Sequence, residues 1–364
     1  MLEESIEAVV CACRVASGNP SSLHWAGRKS RKIVDDARDL IARYLKVEPG
    51  SVVFTSGGTE ANNMAIYGVL SSCEPGTIVT SAIEHPAVLQ PMERWGQEPG
   101  CALVVVRPSL QGEIDAIDFC AQISRETRMV AIMLANNETG VIQPVQAIVD
   151  HCRGLGVPVL VDAVQALGKI SLDLKKLDAD FVSLSAHKIG GPKGVGALIV
   201  RKGAVFQPLM LGGGQERKRR SGTENVAAIA GFSAALQSMD FTHVDVVRNH
   251  FEQMLLAAFD DVTIFGRDAL RLGNTSMFSV PGIDGETLLM QLDLAGFAVA
   301  SGSACSSGKR QPSHVLCAMG VAQSDARSSL RISFGGDSTL RGAEALVQAL
   351  QQVRERMKKL SGWK

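Results

Sequence analysis

Strand-sized apolar runs at Val52 to Phe54, Thr77 to Ser81, Ala102 to Arg107, Met129 to Ala135, Pro158 to Asp162 and Asp180 to Leu184 are separated by segments with helical patterning. The helical stretches are Ala26 to Leu45, Glu60 to Leu70, Ala87 to Trp95, Asp115 to Ser124 and Pro144 to Gly154. Strands that alternate with helices predict an α/β fold around a mostly parallel sheet. In such sheets ligands collect beyond the carboxyl ends of the strands, so the residues standing there carry the functional information.

The balance of charge narrows the choice of ligand. Lys plus Arg and Asp plus Glu both number 37 in 364 residues, and nothing global favours nucleic acid or an anionic membrane over a small molecule. The run Arg217-Lys-Arg-Arg220 lacks interleaved aromatics and is read as local, with Lys218 and Arg219 solvated. The apolar runs are far below the ~20 residues of a membrane helix. Glu3, Glu4 and Glu7 stand where a secretory signal carries basic charge, so the chain is expected in the cytoplasm. Eight dispersed cysteines suggest buried, reduced thiols rather than a disulfide framework. Cys11 and Cys13 have no second pair or His cluster nearby, and no metal site is expected there.

The strand ends read as follows. Val52-Val-Phe54 runs into Thr55-Ser-Gly-Gly-Thr59 and then a helix, which presents unpaired N–H groups and the Thr59 hydroxyl to an anion such as phosphate. An ordinary βα turn has the same pattern. Glu84-His85, Asn136-Asn-Glu-Thr-Gly140, Asp162-Ala-Val-Gln165 and His187-Lys188 follow four further strands, and they are expected on one edge. A lone His such as His85 also fits a structural role, and Asn136-Asn137 a turn. Asp162 closes an apolar run, so its carboxylate needs a partner to offset desolvation. Lys188 stands where a strand meets a Gly-Pro bend; a solvated surface lysine is the ordinary reading, a nucleophilic amine the functional one. Pyridoxal phosphate would need all three features: an amine, a carboxylate for its ring nitrogen and a helix start for its phosphate.

Taken together these motifs resemble the fold-type I pyridoxal-phosphate enzymes, and in detail the cysteine desulfurases of iron–sulfur cluster assembly and nitrogen fixation. The likeness runs from Gly18-Asn-Pro-Ser-Ser-Leu-His24 through Thr55 to Asn62, Glu84-His85-Pro86, Asn136 to Gly140, Asp162 to Gln165 and Ser185-Ala-His-Lys188. It continues in Gly212-Gly-Gly-Gln-Glu-Arg217, Arg220 to Asn225, Ser301-Gly-Ser-Ala-Cys305 and Arg331-Ile-Ser-Phe-Gly335. It implies a mostly parallel large domain over residues 17–240 and a smaller α+β domain over 241–364, with residues 1–16 packing on the small domain. The smaller domain also shows helical patterns at His243 to Phe259 and Gly285 to Leu294, and short strands near Asn274 to Val280, Ala298 to Ala300 and Leu330 to Ser333.

The resemblance further implies that Lys188 carries the cofactor covalently, that Asp162 pairs with its ring nitrogen and that Gln165 contacts its ring hydroxyl. His85 would stack on the ring and shuttle protons. Gly58, Thr59, Ser185 and His187 would bind the phosphate, joined by Thr223 from the partner of a homodimer. Asn137 and Arg331 match the receivers of the substrate carboxylate, a role suited to a guanidinium fork. Cys305 stands among Ser and Gly with Lys309 and Arg310 nearby, which is read as a polar loop and fits either a reactive thiol or a cysteine without function. In the family this cysteine takes sulfur from L-cysteine as a persulfide, leaving L-alanine, and passes it to an acceptor such as an iron–sulfur scaffold, with a transient cluster contact at most and no bound metal. A selenocysteine lyase, another class-V aminotransferase or lyase, and a sulfur-delivery partner with impaired catalysis share much of the pattern. Relatives have an Ala-Thr-Thr-like stretch before the position of Gly18 and a long C-terminal extension; the lack of the former is expected to weaken turnover.

Overall fold

The computed structural model describes residues 1–302, 304–306 and 309–361, with side chains for 1–302 and 312–359. By its contacts the chain divides into two compact units. The first comprises Met1–Val106, Ala116–Leu134 and Pro144–Met239; the second comprises Arg107–Asp115, Ala135–Gln143 and Asp240–Lys364.

The first unit opens with α1 (Glu3–Val15) and α2 (Trp25–Leu45). Then come β1 (Val52–Thr55), α3 (Gly58–Leu70), β2 (Thr77–Ser81), α4 (Pro86–Gly96), β3 (Ala102–Val106), α5 (Ala116–Cys120) and β4 (Thr127–Met133). It closes with α6 (Val145–Leu155), β5 (Val159–Asp162), α7 (Leu174–Leu177), β6 (Phe181–Ser185), β7 (Gly196–Val200) and α8 (Val226–Ser238). The strands form one seven-stranded sheet in the order β1-β7-β6-β5-β4-β2-β3. Only β7 runs against its neighbours. A parallel return needs a crossover of a dozen or more residues, and the short bend after Ser185 leaves room only for a hairpin. The expected helix from Asp115 to Ser124 is confined to the five residues of α5.

Helix α3 has apolar residues on most of its surface because it is buried against the sheet. Ala61, Met64, Ala65 and Ile66 are fully buried with Val53, Leu160, Phe181 and Leu198. Burial of Met64 and Ile66 contributes about 1.5–3 kcal/mol each. Helix α2 starts where the His24 ring accepts the Gly27 N–H (3.2 Å) and stops where Lys46 turns left-handed (φ 59°).

The first helix departs from expectation. Instead of joining the C-terminal unit, α1 packs on α8: Ser5 Oγ donates to Gly231 O (3.0 Å), a glycine with no side chain to hold it off, and Leu2 N–H donates to Gly190 O (2.8 Å). Cys11 and Cys13 flank the buried Ala12 and are exposed, so the expectation of buried thiols fails here. Among the cysteines with described side chains only Cys152 is buried.

The second unit contains α9 (Val244–Ala258), β8 (Thr263–Ile264), β9 (Thr275–Ser279), α10 (Gly285–Leu294), β10 (Ala300–Ser301), β11 (Ala304–Ser306) and β12 (Lys309–Gln311). After these come α11 (His314–Ala318), α12 (Gln323–Arg327), β13 (Ser329–Ser333) and α13 (Leu340–Ser361). An antiparallel sheet, β10-β13-β9-β8, packs its apolar face on α9, α10 and α13. Phe251 centres that core, with ring centroids 5.7 Å from Phe278 and 5.6 Å from Phe334. No helix among the described residues is long and apolar enough to cross a membrane.

Candidate active site

Strands β2, β5 and β6 run in parallel, so His85, Asp162 and Ser185 arrive at one edge of the first unit's sheet. Strand β1 is antiparallel to β7 and therefore runs with β6, which brings the Thr55–Gly57 turn and the first turn of α3 to the same edge. The approach is close: a Cβ on Gly58 would stand 2.5 Å from Val164 Cγ2, and one on Gly196 would stand 2.7 Å from Gly57 Cα. Only glycine allows the open N–H groups of α3 to lie against the ends of β5 and β6, where an anion could meet them.

Asp162 is buried at the end of β5. Val164 N–H donates to its Oδ1 (3.0 Å) and Asn62 Nδ2 to its Oδ2 (2.7 Å). Burial pushes its carboxyl up from the ordinary range, while these two donors and the nearby His85 pull it back. A cationic ring nitrogen would supply the countercharge that burial demands. Asn62 is not among the residues that sequence reasoning assigns to the site, yet an amide amid the apolar face of α3 is a signal for a buried polar partner. Glu84, read in the sequence only as a strand end beside His85, is given no role there. It lies close enough to Asp162 for their charges to interact, and is fully buried, accepting from Ser81 Oγ (2.5 Å) and Met133 N–H (2.9 Å); burial holds its pKa up at about 8.

Lys188 is half-buried on the short turn Ala186–Ile189 that closes β6, with the left-handed Gly190 (φ 81°) directly after it. Ser185 Oγ and His187 Nδ1 are 2.8 Å apart. Burial, then the charges of Lys188, Lys193 and Lys169, lower the His187 pKa, which keeps its ring neutral at pH 7 and able to share a hydrogen bond with an anion. Gln165 accepts from Lys169 Nζ (3.0 Å) through Oε1. His85 Nδ1 accepts the Ala87 N–H (3.0 Å) as it caps α4, so in the neutral ring the proton sits on Nε2. The His85 and Thr59 side chains are exposed at this edge.

The segment from Gly212 to Asn225 is tied to the same unit by three ion pairs, one of them between Arg31 Nη1 and Glu224 Oε1 (3.3 Å). Arg38 grips the buried Glu216 through both nitrogens at 2.8 Å, and Arg220 Nε donates to Glu60 Oε1 (2.8 Å) in the first turn of α3. Thr223 is exposed beyond them, between Gly222 and the buried Glu224. Arg219, expected to be solvated, is half-buried and donates to Gly50 O (3.1 Å), because the left-handed Arg217 and Lys218 turn it inward.

The second unit carries the remaining candidates. Arg331, on β13, donates through Nη1 to Asn137 O (3.0 Å). Arg331 Nε and Asn137 Oδ1 are buried and have no partner among the described residues, a pairing left open to a ligand with both an acceptor and a donor. Glu138 accepts from the Ser313 hydroxyl at the start of α11. Cys305 lies in β11, whose backbone pairs with β12 as a short antiparallel ribbon where the sequence suggested a loop; its side chain lies outside the described residues.

Residues 3–346 match the family model for aminotransferase class-V. The chain belongs to the class-V aminotransferase family. Within it, this chain is 38% identical to a cysteine desulfurase of Trichormus azollae across 99% of this chain and 92% of the relative. It is likewise 38% identical to an IscS-like cysteine desulfurase of Mycobacterium tuberculosis, across 95% and 91%. A solved NifS-like protein superposes with a TM-score of 0.90 at 33% identity, covering 98% of this chain and 96% of that one. A NifS-like protein from Rickettsia africae gives 0.86 at 32%, with the same coverage. Family and fold together place the chain among the cysteine desulfurases, as the ordered motifs imply, and the seven-stranded α/β architecture is that of these neighbours.

Proposed function

We propose that this chain is a pyridoxal-phosphate-dependent cysteine desulfurase that converts L-cysteine to L-alanine and keeps the sulfur as a persulfide on Cys305. The observation that carries the cofactor assignment is the buried Asp162 carboxylate, with donors on both oxygens, at the strand end beside Ser185-Ala-His-Lys188. When bound, pyridoxal phosphate supplies an electron sink for charge that develops at the substrate Cα.

The residues divide the work. Lys188 would hold the cofactor through its aldehyde and, as a free amine, would be the base that takes the substrate's Cα proton. Asp162, held by Asn62 and Val164 N–H, would meet the ring nitrogen as its countercharge. Gly58 and Thr59 at the α3 start, with Ser185 and His187, hold the phosphate. Gln165 would meet the ring hydroxyl and His85 would cover the ring face. Arg331 and Asn137 receive the substrate carboxylate, whose oxygens would satisfy the unpartnered Arg331 Nε. Cys305 attacks as the thiolate: the new bond joins its sulfur to the substrate sulfur, the substrate C–S bond breaks, and its electron pair stays on carbon, which is protonated on the way to alanine. The persulfide sulfur then passes to an acceptor thiol, such as that of an iron–sulfur scaffold protein. The exposed Thr223 serves the phosphate site of the partner in a homodimer.

The decisive measurement is alanine and sulfide release from L-cysteine by the wild type and by Cys305→Ser, with a dithiol as acceptor. Wild-type turnover with no sulfide from the variant is expected, while the variant still changes the cofactor's visible spectrum on adding cysteine. Normal sulfide output from Cys305→Ser would refute the persulfide route, and selenocysteine cleaved far faster than cysteine would move the substrate to selenium.

A further inference from the structure

In the second unit, α9 and the segment Arg267–Arg271 line a cavity of about 420 Å³. Its polar wall consists of Arg248, Asn249, Glu252, Gln253, Arg267 and Arg271. Arg271 and Glu252 cancel each other: their two parallel bonds are both 2.9 Å, and the side chains are only 5% and 8% exposed. Two guanidinium groups are left over. Arg248 is 9% exposed; its Nε donates to Asn249 Oδ1 (2.9 Å) and its Nη1 makes a long bond to Leu272 O (3.4 Å). Among the described residues its Nη2 has no acceptor, and neither Arg248 nor Arg267 pairs with a carboxylate. Burial, and then the charge of Arg271, lower the Arg248 pKa, against a smaller opposite pull from Glu252 and Asp245. A mostly buried guanidinium whose one open nitrogen reaches a solvent-accessible cavity, beside a second unpaired arginine, offers an anion charged donors there.

The size of the cavity says which kind. Small-molecule sites run roughly from 300 to 1,000 Å³, and a bare phosphate would leave most of this one empty. We propose that the cavity binds a small phosphate monoester. The phosphoryl oxygens lie on the forks of Arg248 and Arg267, a geometry for which guanidinium is well shaped. The organic portion lies along Asn249, Gln253 and the exposed Leu270. The segment that would close on the ligand is hydrogen-bonded at both ends of Arg271: Ile142 N–H donates to Leu270 O and Leu272 N–H to Gly140 O, both at 2.8 Å. Occupancy should therefore slow amide exchange at Ile142 and Leu272, a signal independent of catalysis.

The test is calorimetric titration of the cofactor-loaded protein with glycerol 3-phosphate, adenosine 5′-monophosphate and orthophosphate, alongside amide exchange. Saturable binding of at least one ester, tighter than orthophosphate, is expected. Loss of one charge-assisted fork should weaken it about tenfold or more in Arg248→Gln and in Arg267→Gln. Arg267 is exposed, so Arg267→Gln tests the site even if Arg248→Gln fails to fold. No saturable binding up to ~10 mM, binding unchanged by Arg267→Gln, or orthophosphate bound as tightly as the esters would each overturn the proposal.

Discussion

Replacing Arg38 by Met should destabilise the first unit far more than loss of a surface charge. Both members of the Arg38–Glu216 pair are only 2% exposed. Glu216 Oε2 also accepts the Phe54 N–H (3.0 Å), and Arg38 donates to Val52 O (2.6 Å) with its guanidinium 4.8 Å from the Phe54 ring centroid. Methionine keeps the apolar bulk on α2 but strands the carboxylate, since a single backbone N–H cannot replace two charged donors. Breaking a buried pair from one side costs about 3–5 kcal/mol. For a unit of roughly two hundred residues that corresponds to a fall in Tm of about 6–20 °C. Removing both charges is different: Arg38→Met with Glu216→Leu leaves no buried charge and should recover much of the loss, which strict additivity forbids. The assay is urea and thermal unfolding of the wild type, both single variants and the double variant. A loss below ~1 kcal/mol for Arg38→Met, or additive single effects, would show that the pair is not the anchor of the 212–225 segment.

Further predictions can be checked separately. Asn62→Ala removes a donor from Asp162 and should weaken cofactor affinity by roughly 5–30-fold, read by fluorescence titration of the cofactor-free protein; unchanged affinity would remove Asn62 from the site. Glu84 ionises near 4.5 when unfolded and at about 8 when folded, so the folded chain holds a proton that the unfolded chain has released. Its contribution to stability is present below 4.5 and is lost as pH rises toward 8. Across that window Glu84→Gln should gain on the wild type by up to roughly 4–5 kcal/mol, and parallel stability curves would refute it. A Cβ on Gly196 would also meet Leu184 O at 2.5 Å, so Gly196→Ala should lower cofactor affinity together with Tm; a fully loaded variant of normal Tm would contradict the close approach at the α3 start. If Thr223 serves the partner's site, mixing inactive Lys188→Ala and Thr223→Val subunits should restore activity, and no recovery under verified exchange would argue against sharing.

Much of this is legible in the residues. Apolar runs locate every strand of the first sheet up to β6; the inner strands are apolar because both faces are buried, whereas β3 is apolar although it is an edge strand with Ala102 and Val105 exposed. Nothing in the hydrophobic pattern marks the direction of β7; the length of chain after Ser185 is what excludes a crossover. The run from Met129 to Ala135 reads as one strand but leaves the sheet at Met133; Ala135 instead bridges to Ile142, and the Asn136–Gly140 turn belongs with the second unit. Periodicity cannot show such a handover, since both environments are apolar. Helix α1 is assigned to the wrong unit for a related reason: its few buried positions, Ser5 and Ala12, are small residues that match Gly231, and close packing of small residues leaves little hydrophobic pattern to read. Asp162 stands out because a charge at the end of an apolar run demands an explanation. Asn62, which donates to that carboxylate, is a hundred residues away in sequence, and the burial of Glu84 beside it likewise emerges only in three dimensions.

The separation of Asp162 from its donor also has a kinetic consequence. The β6–β7 hairpin that carries Lys188 joins residues close in the chain, and such loops close within microseconds. The Asn62 bond to Asp162 spans 100 residues and exists only after α3 has docked across β5. On the proposed assignment, a newly made chain would present the Lys188 amine long before Asn62 fixes Asp162, so cofactor loading would report completion of the whole sheet and distinguish finished molecules from compact, unfinished ones.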